Sequence, residues 1–215
     1  MIELHNVDCM EYLATLEDNA FDLAIVDPPY GIGESGATNH TRGGLAKPKN
    51  YKPFAGGDTS APREEYFAQL ERVSNNQIIW GANHFRARNS SCWIVWDKVN
   101  GASDFADAEL AYTSFKSAVR IFRFKWNGML QGDMKNKEQR IHPTQKPVKL
   151  YEWLLMNYAK EGDRILDTHL GSGSIAIACH NLGFDLVGCE LDTDYFNAAK
   201  KRLEQHQSQL RIPMQ

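Results

Sequence analysis

Four consecutive residues, Asp27-Pro28-Pro29-Tyr30, place an acid, a rigid turn and an aromatic ring directly after the apolar stretch 21–26. Apart from Asp22, that stretch is short and hydrophobic, as expected of a buried parallel strand, and the two prolines cannot continue a strand ladder. Open α/β folds place their sites at this carboxyl edge of the sheet. There the Asp27 carboxylate and the Pro28 carbonyl can accept both hydrogens of a ring amino group, while Tyr30 stacks on the ring. The double proline, with Pro29 following Pro28, limits reorganisation of these groups.

A second candidate site is a glycine turn late in the chain. The predicted strand 164–166 leads into Asp167, and Gly171 and Gly173 then let the backbone approach a ligand without an intervening Cβ. Glu190 ends the next predicted strand, 19 residues after Gly171. An acid in that place can accept hydrogen bonds from ribose hydroxyls. The order of strand, glycine turn, helix, strand and acid therefore predicts a nucleoside-bearing cofactor.

The glycine turn also narrows the class of cofactor. Position 176 is alanine, so the third glycine of a dinucleotide-binding pattern is missing, and no P-loop lysine follows. A pyrophosphate cradle is therefore disfavoured, which argues against NAD and ATP and leaves S-adenosylmethionine. A dehydrogenase stays open as the weaker alternative.

Both sites resemble motifs of one family. Asp27-Pro28-Pro29-Tyr30 closely resembles motif IV (D-P-P-Y) of DNA amino-methyltransferases, and residues 166–174 resemble their motif I, usually D-P-F-x-G-S-G-T. Because motif IV precedes motif I here, the chain resembles the β class of that family over nearly its whole length. The resemblance implies a Rossmann-like α/β fold, with a mostly parallel sheet, an antiparallel strand and helices on both faces. It also implies S-adenosylmethionine-dependent methylation of adenine N6, because D-P-P-Y goes mainly with adenine and S-P-P-Y with cytosine N4.

The resemblance assigns roles residue by residue. The catalytic set it implies is Asp27, Pro28, Pro29 and Tyr30. The cofactor-binding set it implies is Asp8, Lys146, Asp167, His169, Gly171, Ser172, Gly173, Ser174 and Glu190. Thr144 and Gln145 precede Lys146 in a segment similar to motif X, although Lys146 is equally compatible with a solvated charge. The departures from motif I are Thr168, His169 and Ser174.

The pattern of the chain predicts one methyltransferase domain over residues 1–215. Predicted strands cover 2–4, 21–26, 77–80, 92–96, 109–114, 119–126, 164–166 and 185–190, with 109–114 and 119–126 taken as an antiparallel pair. Predicted helices cover 9–16, 62–73, 148–159, 174–182 and 193–206. The segments 31–61 and 98–142 are interpreted as insertions that contact DNA, since both are rich in polar and basic residues.

Charge distribution agrees with a DNA partner. The net charge is −3, but residues 112–150 carry nine basic and two acidic side chains, a net +7. A base within a duplex must be flipped out to be methylated, so double-stranded DNA with a flipped base is the expected substrate. The resemblance also allows a homodimer and a cognate restriction nuclease as partners.

Other features of the composition exclude whole classes of protein. No apolar run approaches the roughly 20 residues of a membrane helix, and no signal peptide is recognisable, which predicts a cytoplasmic protein. The four cysteines are scattered and the histidines lack ligand spacing, so no metal site is expected. We interpret the cysteines as reduced core residues, and Trp80, Trp93 and Trp96 as core as well.

Several alternatives stay open. DNA cytosine N4 and RNA adenine N6 methyltransferases share the chemistry, and protein glutamine N5 methyltransferases use a related turn, although the last two are expected to place motif I before motif IV. A nucleic-acid-binding protein without activity is a further alternative, disfavoured by the intact Asp27 motif and by Glu190. Glu109 is a candidate functional residue without an assigned role.

Overall fold

The computed structural model describes residues 1–33, 58–85, 89–101, 106–127 and 130–209. The strands are β1 (Ile2–His5), β2 (Phe21–Val26), β3 (Ser74–Trp80), β4 (Trp93–Asp97), β5 (Ala108–Thr113), β6 (Arg120–Arg123), β7 (Trp126–Asn127), β8 (Leu130–Gln131), β9 (Arg164–Asp167) and β10 (Asp185–Cys189). The helices are α1 (Cys9–Ala14), α2 (Glu64–Val73), α3 (Val148–Tyr158), α4 (Ser174–Leu182) and α5 (Thr193–Ser208), with a short 3-10 helix at Ala82–His84.

An eight-stranded sheet forms the centre of the molecule, in the order β1-β10-β9-β2-β3-β5-β4-β6. The first five strands in that order are all parallel to one another, whereas β5 runs antiparallel between β3 and β4. The predicted α/β class, with a mostly parallel sheet and one antiparallel strand, is therefore confirmed. The strands β7 and β8 form a separate two-stranded hairpin.

The predicted antiparallel pairing of segments 109–114 and 119–126 is wrong. Both segments contain strands, but β4 lies between β5 and β6, and β6 pairs with β4 in parallel. Alternating hydrophobicity predicts a strand without identifying its neighbour, because register and strand order are set by the packing of the whole sheet. The segment 119–126 also divides, since β6 ends at Arg123 and Trp126 belongs to β7.

The apolar run 23–26 of β2 is explained by cores on both faces of the sheet. Leu23 and Ile25 face the core built with α3, α4 and α5. Ala24 and Val26 face the other core, built with α1 and α2. Side chains of a strand alternate between the two faces, so residues 23–26 of this central strand are all apolar. Asp22, near the start of β2, is only partly buried and accepts a hydrogen bond from the Arg164 amide.

The parallel strands all end at one edge of the sheet, and this edge collects the chemistry-bearing residues. Asp27 follows β2, Asp167 ends β9 and Glu190 follows β10. Because β5 is antiparallel, its beginning lies at the same edge, which brings Glu109 there as well. Within the described ranges, we find no helix whose length and hydropathy would let it span a lipid bilayer.

The predicted core residues have mixed outcomes. All four cysteines are free thiols, and three of them are buried while Cys9 is partly buried. Trp80 and Trp96 are buried in the core, as predicted. Trp93 is only partly buried and packs edge to face against Tyr112, because it lies where β4 begins.

The two predicted insertions are only partly described by the structure. The segment 31–61 falls largely outside the described residues, and parts of 98–142 do so too. The predicted contacts of these segments with DNA therefore stay predictions.

Candidate active site

Asp27 and Tyr30 contact each other at the end of β2. The Tyr30 hydroxyl donates a hydrogen bond of 2.6 Å to Asp27 Oδ1. The Tyr30 ring stacks on His84, with centroids 5.1 Å apart and planes 13° from parallel. The predicted acid and aromatic are therefore brought together, although here the tyrosine hydroxyl points back to the acid.

Gly81 makes room for the Tyr30 ring. Its φ of +71° lies in the left-handed region, and a Cβ built on it would fall 2.0 Å from Tyr30 Cε1. Any side chain at this position would displace the ring, so the turn after β3 is matched to the aromatic that follows β2.

Asp58 fixes the chain just beyond Tyr30. Its carboxylate accepts hydrogen bonds from the amides of Gly31 at 2.6 Å and Ile32 at 3.2 Å, and its carbonyl accepts one from Gly33 at 2.8 Å. Asp58 is buried, so these bonds are sheltered from water. Asp58 therefore fixes the backbone that follows the Asp27 turn, and the missing side chain at Gly81 leaves room for the Tyr30 ring.

Lys146 lies at the centre of this cluster. Its side chain is only 3% exposed, and its ammonium is 2.5 Å from Asp27 Oδ2, 3.0 Å from Glu109 Oε2 and 3.1 Å from the Tyr30 hydroxyl. The ammonium also lies over the Trp80 ring, 5.4 Å from its centroid. The side chain therefore faces Asp27, while the Lys146 carbonyl accepts a hydrogen bond from the Ser174 hydroxyl of the glycine turn.

The Lys146 ammonium and the carboxylates of Asp27 and Glu109 stabilise one another's charged forms. Burial raises the pKa of Asp27 and the Lys146 ammonium opposes that rise. Burial also disfavours ionised Glu109, but Lys146 and Lys98 overcome it and lower its pKa to about 2. Burial likewise disfavours the Lys146 ammonium, yet the two carboxylates keep its pKa above the ordinary value. The cluster thus holds an ionised Lys146 between two carboxylates in a water-poor corner.

Glu109 has no role assigned from the sequence, yet it completes this cluster. It pairs with Lys98 as well as with Lys146. Lys98 directly follows β4, so both residues reach the site only because β5 and β4 are neighbours. An acid within an otherwise apolar strand is the one signal in the sequence that marks Glu109.

The glycine turn after β9 is closed by Glu190. Glu190 Oε2 accepts a hydrogen bond of 2.7 Å from the Gly171 amide, and Oε1 accepts one of 2.9 Å from the Asp192 amide. Gly173, with a φ of +70°, packs against α5, where an added Cβ would lie 3.1 Å from the Ala199 Cβ. The predicted glycine turn and Glu190 are therefore in direct contact, as the order of elements in the sequence predicts.

Acidic residues lie around the glycine turn. Asp167 is buried, and burial together with the nearby Asp27 and Glu190 charges raises its pKa to about 8, although the His169 amide donates to it at 3.0 Å. Asp8 caps α1 by accepting hydrogen bonds from the amides of Met10 and Glu11. With Asp167 protonated at neutral pH, Asp8 and Glu190 supply the acidic character, which favours a cationic or hydroxyl-bearing ligand over phosphate.

His169 lies in the turn after β9 in a packed environment. Burial lowers the pKa of its imidazole to about 4, although the Asp8 charge opposes this. Its Nδ1 is 2.9 Å from the Thr168 hydroxyl, and its ring meets Tyr66 edge to face. The imidazole is therefore neutral at pH 7 and supplies an aromatic surface rather than a charge.

The segment before α3 is tied to the glycine turn by Arg202. The Arg202 guanidinium donates to the Ser172 carbonyl and to the Ser174 hydroxyl, both at 2.9 Å, and to Glu138 at 2.7 Å. Glu138 in turn accepts from the Val148 amide at 2.9 Å. The predicted cofactor residues Ser172 and Ser174 are thereby fixed relative to the segment that carries Lys146.

Of the nine basic residues of segment 112–150, one is buried, two (Lys125 and Arg140) are half-buried and six are exposed. Lys146 is buried and belongs to the charge cluster around Asp27. Among the exposed residues, Arg123 pairs with Asp97 and Lys149 pairs with Glu152. The exposed set is Lys116, Arg120, Arg123, Lys135, Lys137 and Lys149. This set, without Lys146, is the part of the segment that a polyanion can reach.

Comparison with known proteins identifies relatives over most of the chain. Residues 61–201 match the N6/N4 family model described as DNA methylase. The type II methyltransferase M.HpaI of Haemophilus parainfluenzae is 26% identical, over 92% of this chain and 72% of that protein. The type II methyltransferase M2.MboI of Moraxella bovis is 24% identical, over 93% of this chain and 86% of that protein.

Solved structures share the fold. The complex of M1.HpyAVI with SAM has a TM-score of 0.59 at 21% identity, covering 94% of this chain and 99% of that chain. The cytosine-N4-specific PvuII DNA methyltransferase also has a TM-score of 0.59, at 12% identity, covering 100% of this chain and 88% of that chain. At these identities the likeness is one of fold.

Proposed function

The chain belongs to the N6/N4 DNA methylase family, and on that basis we propose that it transfers a methyl group from S-adenosylmethionine to adenine N6 in DNA. The membership confirms the sequence-based prediction of a DNA amino-methyltransferase. This choice of reaction rests on one observation. Asp27 and Tyr30 are in contact at the carboxyl edge of the sheet, and the strand β2 that they follow is next to β9, which leads into the glycine turn.

Asp27 and its neighbours provide what an aromatic amino group needs in order to react. The amino nitrogen is a poor nucleophile because its lone pair is delocalised into the ring. Hydrogen bonds to the Asp27 carboxylate and the Pro28 carbonyl draw it toward tetrahedral geometry and stabilise its growing positive charge. Tyr30 offers a stacking surface for the ring once its hydroxyl leaves Asp27. Asp27 then receives the proton, which becomes acidic only after the methyl group has been transferred.

The residues around the glycine turn fit the proposed cofactor by their chemistry. Glu190, Asp167 and Asp8 surround the glycine turn, and no phosphate would be favoured among these carboxylates. When bound, S-adenosylmethionine supplies an electrophilic methyl group on a positively charged sulfur. Glu190 is placed to accept from ribose hydroxyls. Asp167 is protonated in the free chain at neutral pH, and a cation bound beside it would favour its ionised form. The packing of Gly173 on Ala199 keeps the turn close to α5.

Adenine N6 is preferred over the alternatives because of Asp27. The resemblance associates an aspartate at this position with adenine and a serine with cytosine N4, so cytosine N4 is the second candidate. RNA adenine N6 is a third, disfavoured because the Asp27 motif precedes the glycine turn in this chain. We propose that the segments 31–61 and 98–142 contact the DNA within a single methyltransferase domain. A homodimer, a cognate restriction nuclease and a cytoplasmic location stay predictions.

A transfer assay tests the proposal. Labelled S-adenosylmethionine is incubated with unmethylated duplex DNA and, in parallel, with RNA, and the nucleosides of the digested products are identified by mass. We expect N6-methyladenine in DNA and none in RNA. N4-methylcytosine would favour the second candidate, and label in RNA alone would overturn the DNA assignment.

Replacing Asp167 by asparagine is expected to stabilise the fold. At pH 8, where Asp167 is partly ionised, it is also expected to weaken cofactor binding about tenfold, by loss of one favourable charge interaction. The pKa of Asp167 is raised from the ordinary 3.8 to about 8 by burial first of all. Between about pH 4 and 8 the folded chain therefore holds a proton that the unfolded chain has released, so the free energy of unfolding falls as pH rises. Asparagine does not titrate, so the free energy of unfolding of the variant does not fall with pH for this reason.

Urea unfolding at pH 5.5 and pH 8 measures the effect. The gain in stability of Asp167→Asn over wild type should be larger at pH 8, by about 1–3 kcal/mol. Asp107→Asn, at an exposed position, is the matched control. An equal gain at both pH values would contradict the prediction, and calorimetric titration with S-adenosylmethionine reports the binding.

A further inference from the structure

We propose that Glu109 is a positioning residue that gives Lys146 a second carboxylate, so that Asp27 can release Lys146 and accept the target amino group. This role deepens the proposed function and rests on it. Glu109 acts through Lys146, without touching the substrate.

Both oxygens of the Asp27 carboxylate are already engaged. Oδ1 accepts from the Tyr30 hydroxyl at 2.6 Å, and Oδ2 lies 2.5 Å from the Lys146 ammonium. An incoming amino group must therefore replace at least one of these contacts. Tyr30 leaves when it stacks on the base, which makes the Lys146 contact the one that decides how available Asp27 is.

Lys146 can leave Asp27 only if its charge stays compensated. Its side chain is 3% exposed, so withdrawal into an unpaired state would leave a buried charge without a partner. Glu109 Oε2 is 3.0 Å from the same ammonium. This oxygen is buried and already interacts with the ammonium, so it can hold the charge when Asp27 releases it. A small displacement thus exchanges one carboxylate for the other while the charge stays paired.

Glu109 is itself anchored at the edge of the sheet. It lies on β5 opposite Trp96 of β4, and its other carboxylate oxygen pairs with Lys98. Glu109 therefore has a fixed place from which to hold Lys146. A rigid second carboxylate makes the exchange at Asp27 reproducible in each turnover.

The charges around Lys146 and Asp27 determine the sign of the pH effects. Burial raises the pKa of Asp27, Lys146 lowers it and Glu109 raises it further. Neutralising Glu109 should therefore lower the pKa of Asp27, and removing the Lys146 charge should raise it. The titratable and charged groups that face this pair are Tyr30, Tyr66, Lys98, Glu109, His142, Tyr151 and Asp167.

The test compares Glu109→Gln with Lys146→Met in single-turnover methyl transfer to duplex DNA across pH. For Glu109→Gln we expect a rate about tenfold below wild type at pH 7.5, because Lys146 stays on Asp27, and an acid limb shifted down by about one pH unit. For Lys146→Met we expect the acid limb to shift up by about one unit. Cofactor affinity, measured by calorimetry, should stay within about twofold for Glu109→Gln, since that change is made outside the glycine turn.

Controls separate a folding defect from the proposed role. Glu109→Asp keeps the charge and should recover part of the lost rate, while Asp18→Asn removes the carboxylate of the exposed Arg72 pair and should leave the rate unchanged. Thermal unfolding shows whether each variant is folded, and Lys98→Met, which loosens Glu109 without neutralising it, provides a second route to a lowered rate. Acid limbs that move in the same direction, or an unchanged Glu109→Gln rate, would overturn the inference. Wild-type protein that fails to methylate DNA would instead overturn the proposed function, and this inference with it.

Discussion

Replacing Asp27 by alanine is expected to reduce the rate of methyl transfer by about a hundred- to a thousandfold. The variant loses the acceptor for the target amino group and the partner of both the Tyr30 hydroxyl and the Lys146 ammonium. Lys146 keeps Glu109, so the charge cluster stays paired and the fold should persist. Single-turnover transfer to duplex DNA measures the rate.

Cofactor affinity distinguishes a lost acceptor from a collapsed site. The Asp27→Ala variant should bind S-adenosylmethionine within about threefold of wild type, because Glu190 and the glycine turn keep their own hydrogen bonds. Asp18→Asn, an exposed carboxylate, serves as the control with wild-type rate. An Asp27→Ala variant with more than about a tenth of the wild-type rate would show that Asp27 is not the acceptor.

Replacing Gly81 by alanine should lower the transfer rate by about a hundredfold, because displacement of a positioned group by an ångström is that costly. A Cβ at this position would lie 2.0 Å from Tyr30 Cε1, and the backbone φ of +71° disfavours any side chain. Tyr30 also stacks on His84, so the ring cannot move without losing that contact. Transfer rates and thermal unfolding would be measured together.

Gly183 offers a matched control for the backbone component. Its φ of +79° imposes a similar strain, but nothing lies within 4 Å of an added Cβ. Gly183→Ala should therefore lose stability, by about 1 kcal/mol, and keep the wild-type transfer rate. Equal loss of rate in both variants would mean that strain, rather than contact with Tyr30, explains the effect at Gly81.

The C-terminal βαβ unit is the part most readily predicted from sequence. Helix α4 spans Ser174–Leu182, as predicted, because apolar periodicity and the glycines at both ends agree. Local signals of this kind depend only on neighbours in the chain. The positions of Asp27 and Glu190 follow from the same reasoning, since each comes directly after a parallel strand.

The charge cluster is not predictable in the same way. Lys146 belongs to a motif that resemblance associates with the cofactor, yet its ammonium lies on Asp27. Glu109 reaches the cluster only because β5 is inserted antiparallel between β3 and β4. Strand order depends on the packing of the whole sheet, so no pattern within residues 108–113 specifies it.

The parallel pairing of β2 with β9 has a consequence for how this protein is made. About 140 residues separate the end of β2 from the start of β9, and the separation between β1 and its partner β10 is larger still. At a synthesis rate of about 5–20 residues per second, one edge of β2 stays unpaired for on the order of ten to thirty seconds. A hydrophobic strand with an open edge is a template for wrong pairing. Newly made chains should therefore depend on chaperones until the last third emerges from the ribosome.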